Sequence, residues 1–158
     1  MSEAHAGTEA APGSGRPGDR FFAEDKRPIF LYDGVCRFCN AGVNFVLDHD
    51  SEGRIRMAAL QSDEGRELLV RAGREPDDIS SIVYIEEGGS AIKSQAVLAI
   101  GKCLDRPFPQ AALAAGLLAP RAVKDLVYDV VAENRYNLMG EMEACRLSDP
   151  AHAERFLS

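Results

Sequence analysis

FLYDGVCRFCN, residues 30–40, decides how this chain is read: an apolar run stops at Asp33-Gly34, and Cys36 and Cys39 follow at CxxC spacing. Ile29-Phe30-Leu31-Tyr32 fits a buried strand closed by a turn. From Cys36 onward the apolar positions Cys39, Val43, Val46 and Leu47 recur at helical spacing, with Phe38 and Phe45 widening the expected buried face. Asp48-His49-Asp50 and Gly53 end that helix. Cys36 falls in its first turn, beside unpaired backbone N–H groups and the positive end of the helix dipole, both of which favour thiolate over thiol. Arg37 adds a cation, and thiols in such settings fall from about 8.5 to roughly 7 or lower. This makes Cys36 the accessible nucleophile and Cys39, one turn later on the core side, the thiol that resolves a mixed disulfide. Asp33 ends the strand just before the pair. It reads either as a proton acceptor for Cys39 or as ordinary Asp-Gly turn chemistry.

The CxxC spacing suits a redox dithiol, half of a metal site, or a nucleophilic thiol with a helper. Zinc would recruit Cys36 and Cys39 with Cys145 and His152, but a second close ligand pair is missing. A cysteine phosphatase needs an Arg six residues after its thiol, and Gly42 and Phe45 stand there instead. A phosphoaspartyl enzyme places a second Asp two residues after the first, where this chain has Val35. The catalytic candidates are therefore Cys36, Cys39 and Asp33, with no cofactor and no metal expected. Cys103 reads as a small buried residue of a helix. Cys145 is left open between packing and an approach to the pair.

The chain has 158 residues and a formal net charge of -7, enough length for one domain with a real core and the wrong sign for a phosphate backbone. Nucleic acid is not an expected partner; a protein or small-molecule thiol or disulfide is. Residues 1–27 read as a disordered tail without the apolar core of a secretory signal, and residues 28–158 as the single domain. The longest weakly apolar run, Ala111 to Ala119, is too short to cross a bilayer. Four cysteines in such a chain point to the cytoplasm and to reduced thiols rather than to structural disulfides. Composition leaves the oligomeric state open.

Downstream, Arg54 to Ala58 alternates as a strand does, and Ser62-Asp63-Glu64 starts a helix through Leu68 and Leu69 to Gly73. Ser81 to Glu86 and Ala91 to Lys93 flank a Gly-rich connection and predict a hairpin. Ser94 is placed to cap a helix with Val97, Ile100 and Leu104 on its apolar face, and Pro107 and Pro109 are expected to break the chain. Pro120 opens a helix in which Val123, Leu126, Val127, Val130 and Val131 form a stripe expected to pack on the core. The order is β-α-β-α-β-β-α with additional C-terminal helices, an α/β class.

YDGVCRFCN, ALQSDEG (residues 59–65), KSQAVLAI (residues 93–100), PRAVKDLVYDVVAENRY (residues 120–136) and Cys145 together resemble the DCC-type thiol-disulfide oxidoreductase family. The resemblance runs from Ile29 nearly to the C-terminus and implies a thioredoxin-like fold, with Asp33, Cys36 and Cys39 in the positions that give the family its name. One departure is visible. Thioredoxins place a cis-proline just before the third strand, where this chain has Ile79-Ser80-Ser81 and Pro76 lies several residues earlier. A non-catalytic thioredoxin-like binding module is the alternative, since fold alone does not decide function.

Overall fold

Ile29–Tyr32 forms strand β1, buried at every position, as a strand covered on both faces must be. The structure, a computed structural model, describes residues 15–139 and 150–157. β1 pairs in parallel with β2 (Arg56–Ala59) and antiparallel with β3 (Val83–Glu86), and β3 pairs antiparallel with β4 (Gly89–Ile92). The strand order is β2-β1-β3-β4. Helix α1 (Arg37–His49) makes the crossover from β1 to β2, and α2 (Asp63–Arg71) leads on toward β3. After β4 come α3 (Lys93–Cys103), α4 (Phe108–Leu118), α5 (Arg121–Glu133) and the short α6 (Arg135–Met139). This is the thioredoxin-like α/β order expected from the sequence.

Alternation along β1 divides the core into two layers. Phe30 and Tyr32 join Val43, Val46, Met57 and Ile100 on the side of α1 and α3. Ile29 and Leu31 join Phe22, Leu68, Leu69 and Val83 on the side of α2. Ser62 caps α2 as expected, its hydroxyl oxygen accepting the Gly65 N–H at 2.9 Å. Gly65 itself lies so close to β2 that a Cβ there would sit 2.0 Å from the Ala59 carbonyl oxygen. The hairpin turn is tighter than expected, because Gly89 already pairs with Glu86 and leaves only Glu87-Gly88 between the strands.

Three expectations change and a fourth is refined. Ser94 is not the cap of α3 but a buried residue of its first turn, because Asp125 of α5 accepts both the Ser94 N–H, at 3.3 Å, and the Ser94 hydroxyl. Pro107 and Pro109 do interrupt the helical run, between Cys103 and Phe108, but a further helix starts at once: Pro109 sits in the first turn of α4, where its missing N–H has no intrahelical partner to lose. The α5 stripe is not sealed in the core, since Val123, Leu126, Val127 and Val130 are each more than half exposed and α5 is tied to the body through Asp125 and Tyr128 instead. The described part of the segment read as a tail is packed. Phe22 of the 3-10 turn Asp19–Phe22 is buried, and the Arg56 guanidinium donates to the carbonyls of Phe21, Asp25 and Arg27 at 2.6–2.9 Å. An arginine at the start of an inner layer needs such acceptors, and the chain ahead of β1 supplies them. Among the described residues no helix is long and apolar enough to cross a membrane.

Candidate active site

The loop after β1 turns on Asp33. Its carbonyl accepts the Cys36 N–H at 3.3 Å and its Oδ1 accepts the Val35 N–H at 3.1 Å, closing a side-chain turn that delivers the chain into α1. Cys36 is the N-cap of α1, with extended backbone angles and its Sγ accepting the Cys39 N–H at 3.3 Å. A sulfur thus takes the place usually held by a Ser or Asp oxygen.

That capping geometry reverses the expected exposure of the two thiols. Folding back over the first turn encloses Cys36, which is 0% exposed, while Cys39 is half-buried and lines an open cleft. Both cysteines are free thiols. Burial, first, then the contact with Cys36 and repulsion from Cys36 and Asp33, push the Cys39 thiol up to about 12, with Arg135 opposing. Cys39 is therefore a protonated, cleft-facing thiol at neutral pH.

Asp33 is buried, and four donors converge on its carboxylate. Oδ1 accepts from the Val35 N–H and from the Gln61 amide at 2.6 Å; Oδ2 accepts from the Arg135 guanidinium at 3.3 Å and from the Tyr136 hydroxyl. Each carboxylate oxygen thus accepts from two donors. Gln61 also accepts the Gly34 N–H at 2.9 Å, so it braces both sides of the turn. Arg135 donates in addition to the carbonyls of Ile79 at 2.9 Å and Ser80 at 3.4 Å, which fixes the segment ahead of β3 where the sequence carries no proline. Its Nε is buried without a partner among the described residues. Burial, and then the bond to Asp33, raise the Tyr136 hydroxyl above its ordinary range.

The cleft beside Cys39 has a volume of about 750 Å³. Phe38 and Phe45, expected on the buried face of α1, wall it instead at 39% and 42% exposure, opposite Val97 of α3 and Val123 and Val127 of α5. Asp33, Arg135 and Tyr128 lie along its polar edge. The Tyr128 hydroxyl accepts the Ile82 N–H at 2.9 Å.

The structure thus places Asp33, Cys36 and Cys39 on one loop at the start of α1. Gln61, Tyr128 and the cleft were missed. Gln61 was recoverable: Tyr32 pairs with Ala59 in the parallel register, so the residues just past each strand end must meet. Cys103 lies under the Tyr84 hydroxyl at 3.8 Å, half-buried, and burial raises its thiol. Cys145 lies outside the described residues, and among those described no three His, Cys, Asp or Glu side chains converge as metal ligands.

Comparisons with known proteins place the chain among relatives. The chain is 55% identical over 127 residues to a chloroplastic DCC family protein of Arabidopsis thaliana, covering 80% of this chain and 73% of that one. It is 36% identical over 129 residues to YuxK, an uncharacterized protein of Bacillus subtilis, covering 82% of this chain and 93% of that one. No solved structure matches. Residues 30–141 match the DCC1-like thiol-disulfide oxidoreductase family, and the chain belongs to it.

Proposed function

We propose that the protein exchanges disulfides with a thiol or disulfide partner through Cys36 and Cys39, with Asp33 as the proton acceptor for Cys39. The observation that supports this most directly is the bond from the Cys39 N–H to Cys36 Sγ at the start of α1. A donor at that sulfur favours the electron pair that Cys36 carries when the disulfide opens. Cys39 attacks only after losing its proton, and Asp33 is the buried carboxylate electrostatically coupled to it. Gln61, Arg135 and Tyr136 keep that carboxylate oriented. Two electrons pass per cycle: a partner disulfide is reduced to two thiols as the Cys36–Cys39 disulfide forms, or the reverse.

The partner is a thiol or disulfide rather than a nucleic acid, in keeping with the net charge of -7. A cytoplasmic setting belongs to this reading and rests on the cysteine usage, while the plant relative is a chloroplastic protein. The closed state of Cys36 favours one rival, a binding module that uses the cleft and leaves its thiols idle. Equilibration with glutathione buffers of graded ratio separates the two: the exchanging protein passes reversibly between dithiol and disulfide, and the binding module does not.

A further inference from the structure

We propose that the partner's sulfur enters through the apolar cleft and forms its mixed disulfide on Cys39, and that the partner is a small thiol carried on a neutral, apolar group. This rests on the exchange reading above and adds the point of attack and the substrate class.

Access decides the first half. Cys36 is 0% exposed and does not line the cleft, whereas Cys39 does. In the oxidised protein a substrate thiolate attacks Cys39 Sγ. The bond from substrate sulfur to Cys39 forms, the bond between the two cysteine sulfurs breaks, and the electron pair leaves on Cys36, which is met by the Cys39 N–H. A second substrate thiolate attacks the bound substrate sulfur and releases the substrate disulfide, and Cys39 takes up a proton. Two electrons have then moved from two substrate thiols to the protein, and a second disulfide-bearing co-substrate restores the pair. Reduction of a substrate disulfide runs through the same bonds in reverse. These roles invert those expected from helix position alone.

The walls decide the second half. A volume of about 750 Å³ falls within the range of small-ligand sites. Phe38, Phe45, Val97 and Val127 offer aromatic and branched aliphatic surface and no charge. Of the charges at the edge, Asp33 and Arg135 pair with each other, and Lys124 gives only a long bond to the Gly116 carbonyl, at 3.4 Å. Among the described cleft residues Lys124 is the one cation without a carboxylate partner, a single lysine against the two carboxylates of glutathione, which a chain of net charge -7 repels.

The test uses the full chain in its oxidised form. It is reacted with benzyl mercaptan, quenched in acid, alkylated and cut with trypsin, which separates the cysteines because Arg37 lies between them. The benzyl adduct is expected on the peptide beginning at Phe38, and benzyl mercaptan is expected to react, per thiolate, about tenfold or more faster than glutathione. Should the adduct be too short-lived to map, the variants Cys36→Ser and Cys39→Ser, which both retain Cys103 and Cys145, are treated with the neutral 4,4'-dithiodipyridine and the adduct is followed on the peptide holding the remaining member of the pair; per thiolate, the first is expected to form that adduct at least about tenfold faster. An adduct on Cys36, or equal rates for the two variants, overturns the point of attack. Equal or faster reaction with glutathione overturns the substrate class. In each of these results the pair still cycles and the exchange reading stands; a pair that cannot be oxidised and reduced at all removes that reading and this inference together.

Discussion

The Tyr136 hydroxyl donates to the Asp33 carboxylate across 103 positions of sequence, locking α6 onto the loop that carries the cysteine pair. Arg135, its neighbour, reaches the same oxygen and lies over the Tyr136 ring at 4.8 Å from its centroid. One carboxylate therefore links β1, the start of α1, the turn after β2 and α6.

Removing a donor from that carboxylate has a graded cost. Tyr136→Phe is expected to destabilise by about 1–3 kcal/mol, the penalty of an unmet buried acceptor. Arg135→Leu removes the only cation bonded to Asp33 among the described residues, and is expected to cost about 3–5 kcal/mol. Urea unfolding of the reduced proteins measures both; equal, negligible losses would mean that the network is not a structural tie.

Asp33→Asn carries a chemical signature distinct from its stability cost. The Asp33 charge is one of the causes that raise the Cys39 thiol, so its removal is expected to shift alkylation of Cys39 to lower pH. Mapping iodoacetamide incorporation against pH checks this. An unchanged or upward-shifted profile would show that Asp33 does not couple to Cys39.

The raised Cys39 thiol also sets a stability window. Its folded value of about 12 lies above the ordinary value of 9.0, so folding favours the protonated form. The associated stability is fully present below about pH 9 and is lost as pH rises toward 12. Reduced wild type is thus expected to lose more Tm between pH 8 and 11 than Cys39→Ser, as read by circular dichroism. Parallel losses would contradict the shift.

Two glycines are expected to respond with opposite signs. Gly65→Ala places a Cβ 2.0 Å from the Ala59 carbonyl oxygen and must push α2 off β2, at a cost of about 1–3 kcal/mol or more. Gly42→Ala, within α1 and with nothing inside 4 Å of the added Cβ, is expected to gain about 0.8–1 kcal/mol from helix propensity. Thermal unfolding of the two variants gives the comparison, and a stabilised Gly65→Ala would contradict the close approach.

The sheet and the placement of the cysteine pair were legible because their signals are local. Four apolar residues before Asp33-Gly34 make β1, and the spacing of Val43 and Val46 sets the buried side of α1. The exposure of the two thiols was not legible: whether Cys36 points outward or folds back to cap α1 is a side-chain choice made by the turn at Asp33. Helix α4 was hidden because a proline that ends a helix and one that opens it look alike without the flanking geometry. The α5 stripe carried the right helical period, but period alone does not say that Val123 and Val127 face a cleft rather than the core. Arg135 and Tyr136 stand about a hundred positions from Asp33, and that distance in sequence concealed their common target.

Disulfide exchange requires that Cys36 and Cys39 be a working redox couple. Its direct measurement is the redox state of the pair in the wild-type protein after equilibration with glutathione and thioredoxin buffers, read by alkylation and mass. One reversible two-electron transition is expected between roughly -300 and -180 mV, the span of cellular dithiol systems. A pair that stays dithiol across that whole range, or oxidises without returning, would contradict it.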